Sequence, residues 1–126
     1  MHSFDEDINK LFGLELYDDV ITLYELSFTE QVLTKLQAAT VVSMVAESYY
    51  QRDCFIKSQE AFYRAITLAK AVSKSLSKDL KFSEVELKYR LHRCLLKQRK
   101  REEAMGVLGS IVEEEMTPKD IEGIEV

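Results

Sequence analysis

The chain has 126 residues, of which 46% are apolar and 31% charged, and its formal net charge is −5. That length suits one domain burying roughly two thirds of its unfolded surface, and the balance of apolar to charged residues argues against disorder. The acidic excess gives no general pull toward nucleic acid or an anionic membrane, and no apolar run approaches the ~18 residues of a spanning helix.

Four glycines and one proline, Pro118, leave almost nothing to break a helix before the C-terminus, and good helix formers are plentiful. An all-α fold is expected. The first ten residues, "MHSFDEDINK", are acidic and do not read as a signal peptide. Cys54 and Cys94 lie far apart with no CxxC, which fits a reducing compartment and makes a zinc site a poor reading. No cofactor is expected.

Six helical segments follow in chain order. The first spans about 4–13, with Ser3 as N-cap and Glu6 completing a capping box. The second spans about 16–28, with Val20, Leu23, Tyr24 and Ser27 on one face. The third, about 30–52, repeats Leu36, Ala39, Val42, Val45, Ala46 and Tyr49 at helical spacing. The fourth covers about 56–73. The stretch "SKSLSKDLKF", 73 to 82, has no clean period and reads as a loop or frayed helix end. The fifth helix, about 83–97, opens on a second capping box, Ser83 with Glu86, and the sixth runs from about 100 to 114.

Large and small residues alternate at fixed intervals in "YYQRDCFIKSQEAFYRAI", 49 to 66. Stacked antiparallel helix pairs require small residues where two backbones approach and large apolar ones between. In a repeat of about 34 residues the small positions are 8, 20 and 27, and the large ones 4, 7, 11, 17 and 24. With position 1 at Ala39, the small positions hold Ala46, Ser58 and Ala65; the large ones hold Val42, Val45, Tyr49, Phe55 and Phe62. A second copy begins at Val85, with Leu91, Leu95, Ala104, Leu108 and Ile111 in place, but with Lys88, His92 and Arg101 departing at positions 4, 8 and 17. A third, degenerate copy begins at Met1, with Leu11, Tyr17, Val20, Tyr24 and Ser27 at their positions but Asp7 and Ile8 at 7 and 8.

This pattern resembles the tetratricopeptide repeat, which implies a single domain of stacked helical hairpins over 1–126. Its repeats would cover about 1–34, 39–72 and 85–118, with a Ser/Lys insert at about 73–83. Over residues 39 to 119 the order of "AKAVSKSLSKDLKF", "SEVELKYRLHRCLLKQRKREEAMGVLGSI" and "TPK" is similar to the N-terminal repeat region of the anaphase-promoting complex subunit 7 family. The acidic "VEEEM" before "TPK" departs from it. The resemblance implies a non-catalytic scaffold module of that mitotic ubiquitin ligase, found in nucleus and cytoplasm. It also implies a homodimer that holds other tetratricopeptide subunits. The alternative is an adaptor of the same repeat type that binds a peptide or chaperone tail.

Catalysis is a poor reading of these residues. Cys54, Cys94, His2 and His92 form no evident nucleophile–base pair, and neither a phosphate loop nor HExxH occurs. Cys94 reads as a small core residue and His92 as a packing substitution at a helix crossing. The run "KQRKR", 97 to 101, reads as a solvated turn in preference to a localisation signal or phosphate contact. Glu113 to Glu115 sit where the helix dipole disfavours them, which suggests fraying. The basic clamp by which chaperone adaptors hold a carboxylate needs Lys, Asn, Asn, Lys and Arg at the positions that hold Asp5, Asn9, Met44, Tyr89 and Arg93; two of the five match and Asp5 has the wrong sign. The expected protein-binding groove lines the first helices of the hairpins through Phe12, Tyr50, Tyr89 and Leu96, with a second copy of the chain as partner. Ala46, Ser58, Ala65 and Ala104 are the expected repeat-packing residues.

Overall fold

The computed structural model describes residues 3–115, which are all-α with no strand among them. Helix α1 (Phe4–Gly13) starts where the Ser3 hydroxyl accepts the N–H of Glu6 at 3.4 Å. Three acidic residues in its first turn complement the helix dipole. Helix α2 is Tyr17–Ser27. The long third helix expected from residue 30 is broken in two. Glu30–Val32 form a separate 3₁₀ turn, and α3 (Lys35–Gln51) starts after it. The break is set by a reciprocal capping box: Gln37 N–H donates to Thr34 Oγ1 (3.1 Å), and Thr34 N–H donates to Gln37 Oε1 (2.9 Å). Helix α4 is Phe55–Ala71. The Ser/Lys stretch holds a single helical turn, α5 (Lys74–Ser77). Helix α6 (Glu84–Lys97) begins as expected at Ser83, whose hydroxyl accepts Glu86 N–H at 3.1 Å, and α7 is Arg101–Glu115.

The helices pair as successive hairpins, α1 with α2, α3 with α4 and α6 with α7. Helix α3 packs on α1 and α2 of the preceding hairpin, and α4 and α3 pack on α6 of the following one. From Ala38 to Tyr49 every residue of α3 except Thr40 is buried, so this helix has no solvent face along its middle. A helix so enclosed needs apolar or paired residues all round. Val41, Val42, Met44, Val45 and Ala46 supply the first kind.

The three hairpins turn in the same way. Each first helix ends on a non-glycine residue in the left-handed region: Glu15 (φ 59°), Asp53 (φ 60°) and Arg99 (φ 61°). In each, the N–H of that residue donates three residues back, to Phe12 (2.9 Å), Tyr50 (3.0 Å) and Leu96 (3.0 Å). The next N–H donates five residues back: Leu16 to Leu11 (3.0 Å), Cys54 to Tyr49 (2.9 Å) and Lys100 to Leu95 (3.0 Å). This is the Schellman arrangement, which satisfies carbonyls that the helix end leaves without partners. Counted from Met1, Ala39 and Val85, the left-handed residue is position 15 every time.

Position 20 is fully buried in all three hairpins, as Val20, Ser58 and Ala104. In the middle hairpin the Ser58 hydroxyl donates to the carbonyl of Ala46 at 2.8 Å. In the last hairpin the polar partner changes sides: His92 Nδ1 donates to the carbonyl of Ala104 at 2.8 Å. A carbonyl only accepts, so the bond requires a proton on Nδ1. The sequence departure at position 8 is thus a compensated crossing, with the same two positions joined by one hydrogen bond. Ala46, Ala65 and Ala104 are completely buried, as their packing role requires.

Candidate protein-binding surfaces

The four residues expected to line one open groove divide into two pairs. Phe12 and Tyr50 are half-buried and their rings are engaged within the chain. Phe12 meets the edges of Tyr17 (5.9 Å between centroids) and Phe82 (6.1 Å), and Lys81 Nζ lies 5.6 Å from its centroid. Tyr50 packs against Phe55 at 5.4 Å and carries the Arg93 guanidinium over its face at 3.6 Å. Tyr89 and Leu96 are each 47% exposed. They stand two turns apart on α6 and share one stripe of it.

The physical reason for this division is a filling that the sequence pattern concealed. The end of the Ser/Lys insert folds onto the first helices: Lys81 Nζ donates to Asn9 Oδ1 at 3.1 Å, and Phe82 is buried against the core. The Arg90 guanidinium lies 4.3 Å from the Phe82 centroid. Phe82 precedes the N-cap of α6, the place where an apolar residue commonly packs on the fourth helical residue, here the buried Leu87. That spacing was the available signal, and reading the stretch as an irregular loop missed it.

Beside it, Glu47 of α3 is buried to 3% exposure and joins α3 to α6. One carboxylate oxygen accepts from Arg90 Nη1 at 2.7 Å and also from Arg93 Nη2; the other accepts from Gln51 Nε2 at 2.7 Å. Arg90 reaches Glu86 as well, at 2.9 Å. A buried carboxylate is tolerable only when paired and hydrogen-bonded in this way. Position 9 of the middle hairpin, which a groove would leave open to a ligand, is therefore occupied from within.

The carboxylate clamp is likewise closed. Met44 is completely buried, Asn9 is bound by Lys81 and Arg93 is bound by Glu47. Cys94 is buried and donates to the Phe55 carbonyl at 3.3 Å, and burial pushes its thiol above the ordinary range. Cys54 is exposed in the α3–α4 turn. No cluster of three metal-ligating side chains occurs among the described residues, and no described helix is long and apolar enough to cross a membrane. His2, Pro118, the "TPK" segment and the side chains of Glu113 to Glu115 lie outside the described residues.

The remaining open features lie along the edges of the hairpins. A cavity of about 470 Å³ sits at the α3–α4 turn, lined by Asp53, Cys54, Phe55, Ile56, Lys57 and Gln98. A second, of about 500 Å³, lies between α4, α6 and α7, lined among others by Ile66, Leu91 and Val107. No family model, curated protein or solved structure matches this chain.

Proposed function

We propose that the chain is a non-catalytic scaffold module built from tetratricopeptide-like hairpins at about 1–34, 39–72 and 85–118, and that it works by being bound. The observation that carries this reading is the left-handed Schellman turn at position 15 of all three hairpins, Glu15, Asp53 and Arg99. A chance bundle has no reason to repeat one turn at the sequence spacing of its packing pattern. The buried small residues at position 20 add to it. The order of segments from 39 to 119 supports placing the module in the anaphase-promoting complex, in the manner of its subunit 7 family. There it would pair with a second copy and support other tetratricopeptide subunits.

The apolar stripe left for self-association is Tyr89 and Leu96, since Phe12 and Tyr50 are engaged internally. Sedimentation equilibrium at tens of micromolar tests the reading. A reversible dimer is expected, weakened in Tyr89→Glu and Leu96→Glu with helix content unchanged. A strict monomer would overturn the homodimer, and a dimer indifferent to both changes would move it off α6.

A further inference from the structure

Charge is distributed very unevenly along this chain. Residues 1 to 34 carry eight carboxylates against the single cation Lys10, whereas residues 70 to 101 carry eleven Lys and Arg against three carboxylates. Three of the eight carboxylates of the acidic hairpin pair with cations of the next one. Asp18 pairs with Arg52 at 2.8 Å, Glu25 with Lys57 at 3.4 Å, and Glu30 with Arg64. At the basic end, Lys97, Arg99 and Arg101 are exposed and reach no carboxylate within 4.0 Å among the described residues. Lys100 donates to the neutral Gln59 side chain at 2.8 Å.

Gln98, which these cations flank in sequence, lines the cavity at the α3–α4 turn and donates to the Phe55 carbonyl (3.4 Å) and to Gln59 (2.9 Å). The cavity wall is apolar through Phe55 and Ile56, and Ile56 is 67% exposed, which costs hydrophobic free energy in an isolated chain. One carboxylate, Asp53, lines the cavity, and Glu102 follows Arg101; four cations between 97 and 101 outweigh them.

We propose that this edge is a docking site for an acidic peptide segment of another protein, which places one large apolar side chain in the Phe55–Ile56 cavity and its carboxylates against Lys97, Arg99, Lys100 and Arg101. A partly apolar pocket next to a run of cations without carboxylate partners is complementary to such a segment. A second copy of this chain is the competing occupant: it can offer the carboxylates Asp5, Glu6, Asp7, Glu15 and Asp19, whereas Asp18, Glu25 and Glu30 are already paired. Nucleic acid satisfies the cations but offers the cavity only polar-edged bases, and the chain as a whole is acidic. The inference does not depend on the repeat or complex assignment.

Cys54 lines the cavity and is exposed, whereas Cys94 is buried, so alkylation of Cys54 reads occupancy in the unmodified protein with Cys94 as internal control. The probe is a short synthetic Glu/Asp peptide with one central Phe. Its protection of Cys54 from iodoacetamide should reach about tenfold at ten times its dissociation constant. A twin peptide with Ala in place of Phe should protect far less, and added salt should weaken both. The double variant Lys97→Glu/Arg101→Glu should bind about tenfold more weakly. It should fold normally, since Arg101→Glu places a carboxylate in the first turn of α7. Ile56→Ser, at an exposed position, should weaken the Phe peptide selectively. Equal protection by the Ala twin, or indifference to the charge reversal, would overturn the proposal. So would tighter binding of a single-stranded oligonucleotide, or protection of Cys54 by raised protein concentration alone.

Discussion

Glycine at the three hairpin turns should stabilise the chain, and in a defined order. Glu15, Asp53 and Arg99 are exposed, and each holds a backbone conformation near φ 60°. The left-handed region costs an L residue about 1–2 kcal/mol because Cβ crowds the following carbonyl. Glycine removes that cost but returns about 0.5–1 kcal/mol through its greater freedom in the unfolded chain. The net gain is about 0.5–1 kcal/mol for Glu15→Gly and for Arg99→Gly. Asp53→Gly should gain less, since aspartate visits this region more readily than glutamate or arginine. If the three turns act independently, the triple variant gains about 1.5–2 kcal/mol, or roughly 6–8 °C in Tm for a chain of this size. Thermal and urea melts followed by helical circular dichroism measure it. Alanine at the same positions keeps the Cβ and should give no gain. A triple glycine variant that melts lower than the parent, or alanine variants that match the glycine ones, would show that the turns are not strained as described.

Glu47→Gln keeps the shape of a buried side chain but leaves Arg90 and Arg93 without their shared charge. Removing one partner of a fully buried pair costs about 3–5 kcal/mol, and partial exposure of both guanidinium groups lowers the expected urea-melt loss to about 2–3 kcal/mol. Ser58→Ala deletes one buried hydrogen bond and should cost about 1 kcal/mol, whereas Ser58→Leu must force α3 and α4 apart and should cost about 2–3 kcal/mol or more. Phe82→Ala should release the insert, so that trypsin cuts at Lys78 and Lys81 faster than in the parent while the helices persist. Burial and the 2.6 Å hydrogen bond to Glu103 push the Tyr63 phenol up to about 12. Because the folded value is the raised one, its contribution is complete below pH 10 and is lost as pH climbs toward 12. Ultraviolet titration should show this ionisation, and Tyr63→Phe should remove it while leaving the still later one of Tyr49, raised by burial and its hydrogen bond to Glu25.

Six of the seven helices and most of their boundaries were legible because their signals are local; the short turn α5 and the 3₁₀ turn at Glu30–Val32 were not. Ser3 and Ser83 announce α1 and α6 through hydroxyls that do cap the third following N–H. The Thr34–Gln37 box carried the same kind of signal, but the apolar periodicity running through residues 30 to 52 masked it. The turns at 15, 53 and 99 were invisible as motifs, because the residue that usually marks a left-handed cap is glycine and none of the three is glycine. The small packing residues Ala46, Ser58 and Ala104 were legible by size; that His92 and Ala104 exchange the roles of Ser58 and Ala46 was not, since that depends on which backbone carbonyl each side chain can reach. The Glu47–Arg90–Arg93 cluster joins residues more than forty apart in sequence, so no spacing rule connects them.

The filled inner face changes where function has to lie. A row of first helices left open would have offered Phe12, Tyr50 and position 9 together as one recessed surface. Instead, a single aromatic residue of the insert, Phe82, and a single buried carboxylate, Glu47, cover it from within, each stacked on or bonded to an arginine of α6. Both arginines belong to the same helix that exposes Tyr89 and Leu96, and Arg93 stands between those two on their stripe. Anchoring α6 through Arg90 and Arg93 fixes the direction of that stripe and of the basic turn that follows it. The insert and the ion cluster therefore act as the internal support of an outer edge, and a partner that needs the inner face would first have to break a buried ion pair.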